Sequence, residues 1–406
     1  MVISQNVKCS ICGTEYFVRV GVGGEAYQRH YFDCCVDCHQ TIGIAVRANP
    51  PHAHIEAVEN CTLGGFDRNL TVINLHPNFC FHIDNYHDPL FFASLDNQGG
   101  LPALGRHMRI GEGRKYADLA LQFDIPHASQ LWNKVKSIYD LSRIHGKEQL
   151  VQKQINEYNQ QRNKVRELVG FEKCKCISEL DVFEEFYDSL FYPKVNSLFN
   201  PVAELIDRLY ESGQLDAFYS YYIDNLQEDN AKRYLSSFTG YFKQRDILGQ
   251  LIYRARVDSS DVDDLMVGSK NFDVIKLYYG EVYESLTSNF TVLACLNNLA
   301  SGRKFDEFLT LTLNKYTHDV EKAKKDGPFK SNPLFSAFSD NLDSSLRNGS
   351  HHASIWRDGE IVMYRSGGTG AKHEISYSRY LYLCCSITIS LAALHLIELH
   401  LIRKFK

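Results

Sequence analysis

Two cysteine pairs open the chain, Cys9-Ser10-Ile11-Cys12 and Cys35-Val36-Asp37-Cys38, with 22 residues between them. Two such knuckles can bring four thiolates onto one tetrahedral zinc ion, and four thiolates close its coordination sphere, so the metal would be structural. Cys34 is an alternative to Cys35 at a longer spacing, and His30 and His39 stand nearby in reserve. Near the other end lies Leu346-Arg347-Asn348-Gly349-Ser350-His351-His352-Ala353. An arginine and a histidine suffice, in principle, to cut RNA without metal. The 2′-OH attacks its own phosphate, a histidine moves the proton near neutral pH, and a guanidinium covers the charge that builds on the phosphoryl oxygens. In that scheme Arg347 stabilises charge, His352 transfers the proton and Asn348 orients the histidine or binds phosphate. His351, one helical turn after Arg347, is a second candidate base. A third group, His76, His82, Asp84, His87 and Asp88, has metal-binding residue types, but its spacings fit no helix face and include Pro77 and Pro89. It reads as loop and surface, as do His52 and His54 beside Pro50-Pro51.

Composition bounds what these residues can belong to. The 406 residues suit two to three domains. At 44% hydrophobic and 23% charged, the chain is neither disordered nor fibrous as a whole. A net charge of -5 excludes a globally basic nucleic-acid binder, so any such contact must be local. The start MVISQNVKCSICG lacks the basic-then-apolar pattern of a secretory signal, and five of twelve cysteines crowd into the first 38 residues. That clustering points to metal rather than disulfides and to the reducing cytoplasm.

Three regions must position the candidates. Residues 1–125 carry short β-like runs at 16–20 and 70–73, broken by glycine and proline pairs; the two cysteine knuckles are expected to be joined by a hairpin through Gly21–Gly24. Residues 126–269 read as helical, with Leu131, Val135, Ile138, Leu141 and Ile144 at helical spacing. Within it, residues 130–170 hold eight Lys or Arg against four Asp or Glu, a solvated face or a weak RNA contact. Residues 270–406 read as a helical bundle. Its first helix carries Ile275, Tyr278, Val282, Leu286, Phe290 and Leu293 and ends near Gly302; a second covers 305–317. A third is capped by Asn332, starts at Pro333 and runs through Leu334, Phe338, Leu342 and Leu346. Asp358-Gly359 marks a hairpin. The apolar run from Tyr380 to Ile402 is long enough to span a bilayer, but it contains Ser386, Thr388, Ser390, His395, Glu398 and His400, and it is expected to be a buried helix rather than a membrane anchor.

The cysteine knuckles, with a glycine after the first pair and β-like sequence between, resemble a zinc ribbon. The Arg347-Asn348-x3-His352 segment, after a helical stripe and before a long closing helix, resembles the signature of the HEPN superfamily. Arg47 and His52 satisfy the bare spacing too, but in a Pro-Pro loop; of three Arg-Asn dipeptides, at Arg68, Arg162 and Arg347, only the last has a histidine at the right distance. The likeness covers about the last 135 residues, and it departs from the common pattern at Gly349, where alanine is frequent. It implies an α+β, predominantly α, chain: a zinc-ribbon module, a helical middle and a HEPN-like bundle with a β-hairpin insertion. It further implies a homodimer with a composite site, RNA as substrate, cyclic-phosphate and 5′-OH products, and a setting in bacterial antiviral defence or toxin-like stress response. The alternative is a non-catalytic adaptor that binds RNA or a regulatory protein partner.

Overall fold

The structure, a computed structural model, describes residues 1–23, 25–34, 38–49, 51–96, 125, 127–168, 172–268, 271–367 and 369–405. Four small sheets and a helical body make it α+β among the described residues, with the strands concentrated at the N-terminus. β1 (Val2–Cys9) and β2 (Glu15–Gly21) form an antiparallel hairpin closed by the Lys8–Glu15 pair. β3 (Tyr27–Asp33), β4 (Thr41–Asn49) and β5 (His52–Glu59) form a second, separate meander. β6 (Cys61–Leu63) edges β1, and β7 (Thr71–Leu75) runs parallel to β2.

The hairpin expected between the two cysteine pairs does not form. β2 is buried from Tyr16 to Gly21, on both faces, and both of its edges are taken, by β1 and β7. β3 therefore turns away and pairs with β4. Each knuckle sits at the tip of its own hairpin instead.

The helical body begins with α1 (Ala128–Ser142) and α2 (Glu148–Leu168), followed by α3 (Glu179–Phe191), α4 (Lys194–Glu211), α5 (Asp216–Asn225), α6 (Gln227–Lys243) and α7 (Arg245–Arg256). The positive stretch 130–170 is partly neutralised by carboxylates. Lys134 meets Glu157 at 2.7 Å, and Arg162 and Arg166 both hold Glu185 of α3. β8 (Phe81–His82) pairs with β9 (Leu265–Met266), and Tyr31 donates its N–H to the Gly268 carbonyl, so the sheets are sewn to the helices.

Then come α8 (Tyr278–Ala300), α9 (Leu313–His318), α10 (Ser344–His351), the three-stranded β10 (Ile355–Asp358), β11 (Ile361–Arg365) and β12 (Lys372–Ser376), and α11 (Tyr377–Phe405). α8 ends as expected, with Gly302 at φ +73°. The Asp358-Gly359 hairpin is present, extended by β12. Two helices differ from expectation. Residues 305–311 are not helical; Thr312 caps α9 through the Lys315 N–H. The stripe from Leu334 to Leu346 is split. Asn332 does cap a turn, but that helix is only Pro333–Ser336, and Asp343 starts α10 afresh by accepting from the N–H groups of Ser345 and Leu346.

α11 alone is long and apolar enough, among the described helices, to cross a membrane, and nearly all of it is buried inside the protein. It packs against α3, α4, α6, α7 and α8, so one core runs across residue 269. Its polar residues are consistent with this setting. Thr388 meets the Tyr278 hydroxyl at 2.9 Å, His395 the Tyr187 hydroxyl at 3.1 Å, and His400 the Asp207 carboxylate at 2.7 Å. Glu398 accepts from Tyr222, Tyr234 and Asn230.

Burial pushes the Glu398 carboxyl up from 4.5 to about 7, against the pull of its three donors. The folded chain thus holds this proton more tightly than the unfolded one. Its stabilising contribution is complete below pH 4.5 and is lost as the pH rises towards 7. For this fully buried group the loss is about 3 kcal/mol. Urea titrations from pH 4.5 to 7 are expected to show wild type losing that amount relative to Glu398→Gln. His395, whose burial lowers it to about 3, works in the opposite sense but cancels between the two proteins. A wild-type-minus-variant difference that stays flat with pH would remove Glu398 as the cause.

Candidate metal centre and the Arg347–His352 face

The loop closing β1–β2 carries Cys9 and Cys12. Cys9 donates its N–H to the Thr14 carbonyl, and Gly13, at φ +79°, accomplishes the turn. The loop closing β3–β4 carries Cys34 and Cys38, with the Cys34 N–H on the Gln40 carbonyl. The two tips converge. The sulfurs of Cys9, Cys12, Cys34 and Cys38 all lie within 4.8 Å of one another, with Cys12–Cys34 at 3.6 Å and Cys9–Cys38 at 3.9 Å. Tetrahedral thiolates at the zinc–sulfur distance of about 2.3 Å stand about 3.8 Å apart, so this donor set fits. Burial pushes the Cys9 thiol up, but the N–H groups of Cys12 and Ile11 and the neighbouring thiols outweigh it and bring it down to about 7. These four cysteines could hold a metal ion. The fourth position, expected at Cys35, is filled here by Cys34; Cys35 lies outside the described residues.

The histidines and aspartates of residues 76–88 are dispersed into structural tasks. His76 is buried against Phe79 and accepts from the N–H groups of Asn78 and Phe79. His82 caps the turn at Ile83–Asn85, and His87 donates to the Val72 carbonyl at 2.7 Å. Among the described residues the four cysteines are the group with metal-ligand geometry.

The second knuckle is tied to the C-terminal strands. Arg357 of β10 grips Asp33, next to Cys34, with both Nη atoms at 2.8 and 2.9 Å. The same strands brace α10. Tyr364 of β11 donates to the Asp343 carboxylate, and Asp343 donates its N–H to the Tyr279 hydroxyl of α8.

α10 thus presents Arg347, Asn348, His351 and His352 from a short, doubly clamped helix. Arg347 reaches the Glu284 carboxylate of α8 and donates to Asn348 Oδ1 at 2.6 Å. The pair with Glu284 is about three-tenths exposed on each side. The acid that Arg347 meets is Glu284, on the α8 face turned towards α10. His352 ends the helix with its N–H on the Asn348 carbonyl, and its side chain is exposed. His351 is also exposed, its ring edge against α8 at Gly280. Among the described residues no hydrogen bond joins Arg347 to either histidine. Two further cations gather here that sequence reasoning did not find. Lys322 donates to Ser288 of α8, and Arg233 of α6 bonds Asn289 of α8 at 3.2 Å. Burial holds the Lys322 ammonium below its usual range; Glu284 pulls it up, and Arg233 and Arg347 push it down. Residues 233, 322 and 347 have no sequence pattern in common, so only folding brings them together.

Gly349 is tightly packed. A Cβ there would stand 3.0 Å from Tyr364 Cβ and 3.5 Å from the Arg365 carbonyl. Alanine favours a helix by about 1 kcal/mol, but overpacking at such a contact costs about 1–3 kcal/mol. Gly349→Ala is therefore expected to lower stability by about 0–2 kcal/mol in denaturant titration; a stabilised variant would contradict this contact.

No protein-family model, curated protein or solved structure matches the chain.

Proposed function

We propose that this protein is a metal-independent endoribonuclease of HEPN type, with a structural zinc held by the cysteine cluster. The observation that carries the reading is the end of α10. There Arg347, Asn348 and two exposed histidines share one short segment, beside Lys322 and Arg233. A phosphodiester laid on that face would meet a forked guanidinium and two more cations, with an imidazole at the rim. Arg347 stabilises the charge of the transition state, His352 transfers the proton, and Asn348, already bonded to Arg347, holds the guanidinium in place. A second copy of the chain would supply the opposing motif, as the likeness to HEPN ribonucleases suggests. Bacterial defence or stress, in the cytoplasm, is the setting of such enzymes. The zinc would add no catalytic step: four thiolates leave no coordination position for water.

A second reading rests on one contact. Arg347 pairs with Glu284, and a guanidinium committed to a carboxylate is equally suited to holding a bundle together. In that case the face is a non-catalytic adaptor surface for RNA or a protein partner. Expression in bacterial cells, followed by analysis of RNA ends, separates the two. Cleavage with 5′-OH ends that disappears in Arg347→Ala and His352→Ala supports the nuclease. Toxicity that persists in both variants supports the adaptor.

A further inference from the structure

A second pair of thiols lies far from the metal cluster, in the segment between α2 and α3. Residues 172–177 belong to no helix or strand. They are strapped to α2 by two asparagines one helical turn apart. Asn163 takes the Cys174 N–H at 2.6 Å and gives its amide to the Cys174 carbonyl at 3.0 Å. Asn159 does the same for Cys176, at 3.1 and 2.8 Å. Alternate residues of an extended segment point the same way, so both side chains emerge together. Their sulfurs are 3.4 Å apart. Cys176 Sγ also meets the Asp181 carbonyl at 3.5 Å, and Cys174 Sγ lies 3.1 Å from Asn159 Oδ1. Both cysteines line an open cleft of about 400 Å³, with Glu185, Asp188 and Leu396 of α11 on its other walls.

This is not a second metal centre of the first kind, because no third ligand joins the two sulfurs among the described residues. A dithiol without further ligands has another chemistry open to it. We infer that Cys174 and Cys176 are a redox-active pair that closes reversibly into an intramolecular disulfide by exchange with small organic disulfides entering the cleft. Cys174 attacks, and Cys176 resolves. The Cys174 thiolate bonds to one sulfur of the external disulfide and expels the other as a thiolate, leaving a mixed disulfide. Cys176 gives its proton to the expelled thiolate, attacks the Cys174 sulfur as a thiolate and expels the second half as a thiolate, which takes up from water the proton that Cys174 had released. Two protein thiols are oxidised to one disulfide, and one external disulfide is reduced to two thiols.

The order of attack follows from the contacts. The Cys174 thiol is pulled down, first by its contact with the Cys176 thiol, against the cost of burial and the Glu185 carboxylate, with the Cys176 backbone and Arg166 assisting. The Cys176 thiol is pushed up by the same contact and by burial. The thiolate is the nucleophile, so the first reaction falls to Cys174. Bonding requires the sulfurs to close from 3.4 Å to about 2.05 Å. The segment can adjust because side-chain amides hold it, and Leu396 in the same cleft places the core helix α11 next to the change.

The test uses the full-length, metal-loaded protein and cystamine as the disulfide. After reaction, free thiols are blocked with iodoacetamide and the protein is cut with trypsin. Cleavage after Lys173, Lys175 and Lys194 separates the two cysteines, so the proposed bond appears as Cys174-Lys175 linked to the peptide 176–194. That link, reversed by dithiothreitol, is the expected result. Cys176→Ser should stop at a cysteamine adduct on Cys174. In Cys174→Ser, modification of Cys176 should be slower by about tenfold or more. Wild-type protein in which Cys174 and Cys176 are both alkylated, or both carry cysteamine unlinked, overturns the proposal. Equal rates in the two variants overturn the order of attack.

Discussion

Stripping the cysteine cluster of its metal is expected to unfold the tips of both N-terminal hairpins and to lower the thermal midpoint of the whole chain. The effect should be large. A structural zinc contributes apparent free energies of about 10–16 kcal/mol in zinc-finger peptides, because the unfolded chain does not gather its ligands. Here the four sulfurs come from two hairpins in different sheets, and the metal would be the clamp between them. Loss should travel further than the tips, since Arg357 grips Asp33 beside Cys34 and its strand braces α10. Hydrogen exchange with and without a strong chelator should therefore show deprotection at residues 9–14 and at Cys34, then at β10 and β11. α11, packed among five other helices, should keep its protected amides. One zinc per chain should appear in elemental analysis and fall in the Cys9→Ser/Cys38→Ser double variant. Metal-free protein with the same midpoint, or undiminished zinc in the double variant, would defeat the assignment.

How far these features could be read in advance depended on whether they were local. The first Cys-x-x-Cys knuckle and the crowding of further cysteines at 34–38 are local, and they were legible. The choice between Cys34 and Cys35 was not, because it depends on where the β3–β4 register ends; Asp33 faces Thr41, which leaves Cys34 to bond Gln40 and turn its sulfur inward. The glycines at 21–24 looked like a hairpin turn because turn chemistry is local, whereas the pairing of β2 with the distant β7 is not. α11 was legible as a buried helix through its own polar residues, which need partners that lipid cannot supply. The broken stripe between Leu334 and Leu346 shows the opposite case. Helical spacing continued through it, but the Asp343 side chain offered the backbone a better start eight residues before the helix ends. Arg347, Asn348 and His352 were legible as a motif. Lys322 and Arg233 were not, since they reach the same face from α6 and from the turn after α9.

Arg347→Ala and His352→Ala are each expected to abolish RNA cleavage without unfolding the protein. Removing the proton-transfer group costs about 10²–10⁴ in rate, and removing the guanidinium that faces the developing charge costs a comparable factor. Stability should barely move. The Arg347–Glu284 pair is about three-tenths exposed on both sides, and pairs so open to water contribute about 0–1 kcal/mol. The histidine ring is at the surface and ends a helix through its backbone. His351→Ala should matter less, because that residue stands one position short of the matching spacing. EDTA should leave the cleavage chemistry itself untouched for as long as the cysteine cluster keeps its zinc. Glu284→Gln is the discriminating variant. If Arg347 serves the phosphate, releasing it from the carboxylate leaves cleavage intact or raises it, since RNA no longer competes with Glu284. If Arg347 serves the bundle, the same change weakens the α8–α10 contact and no ribonuclease signal responds. An inactive preparation decides little, because such an enzyme can wait for a trigger. The measurement is therefore made in cells, by toxicity on overexpression together with mapping of 5′-OH and cyclic-phosphate ends. Wild-type toxicity that survives both the Arg347 and the His352 substitution ends the ribonuclease reading and leaves the adaptor.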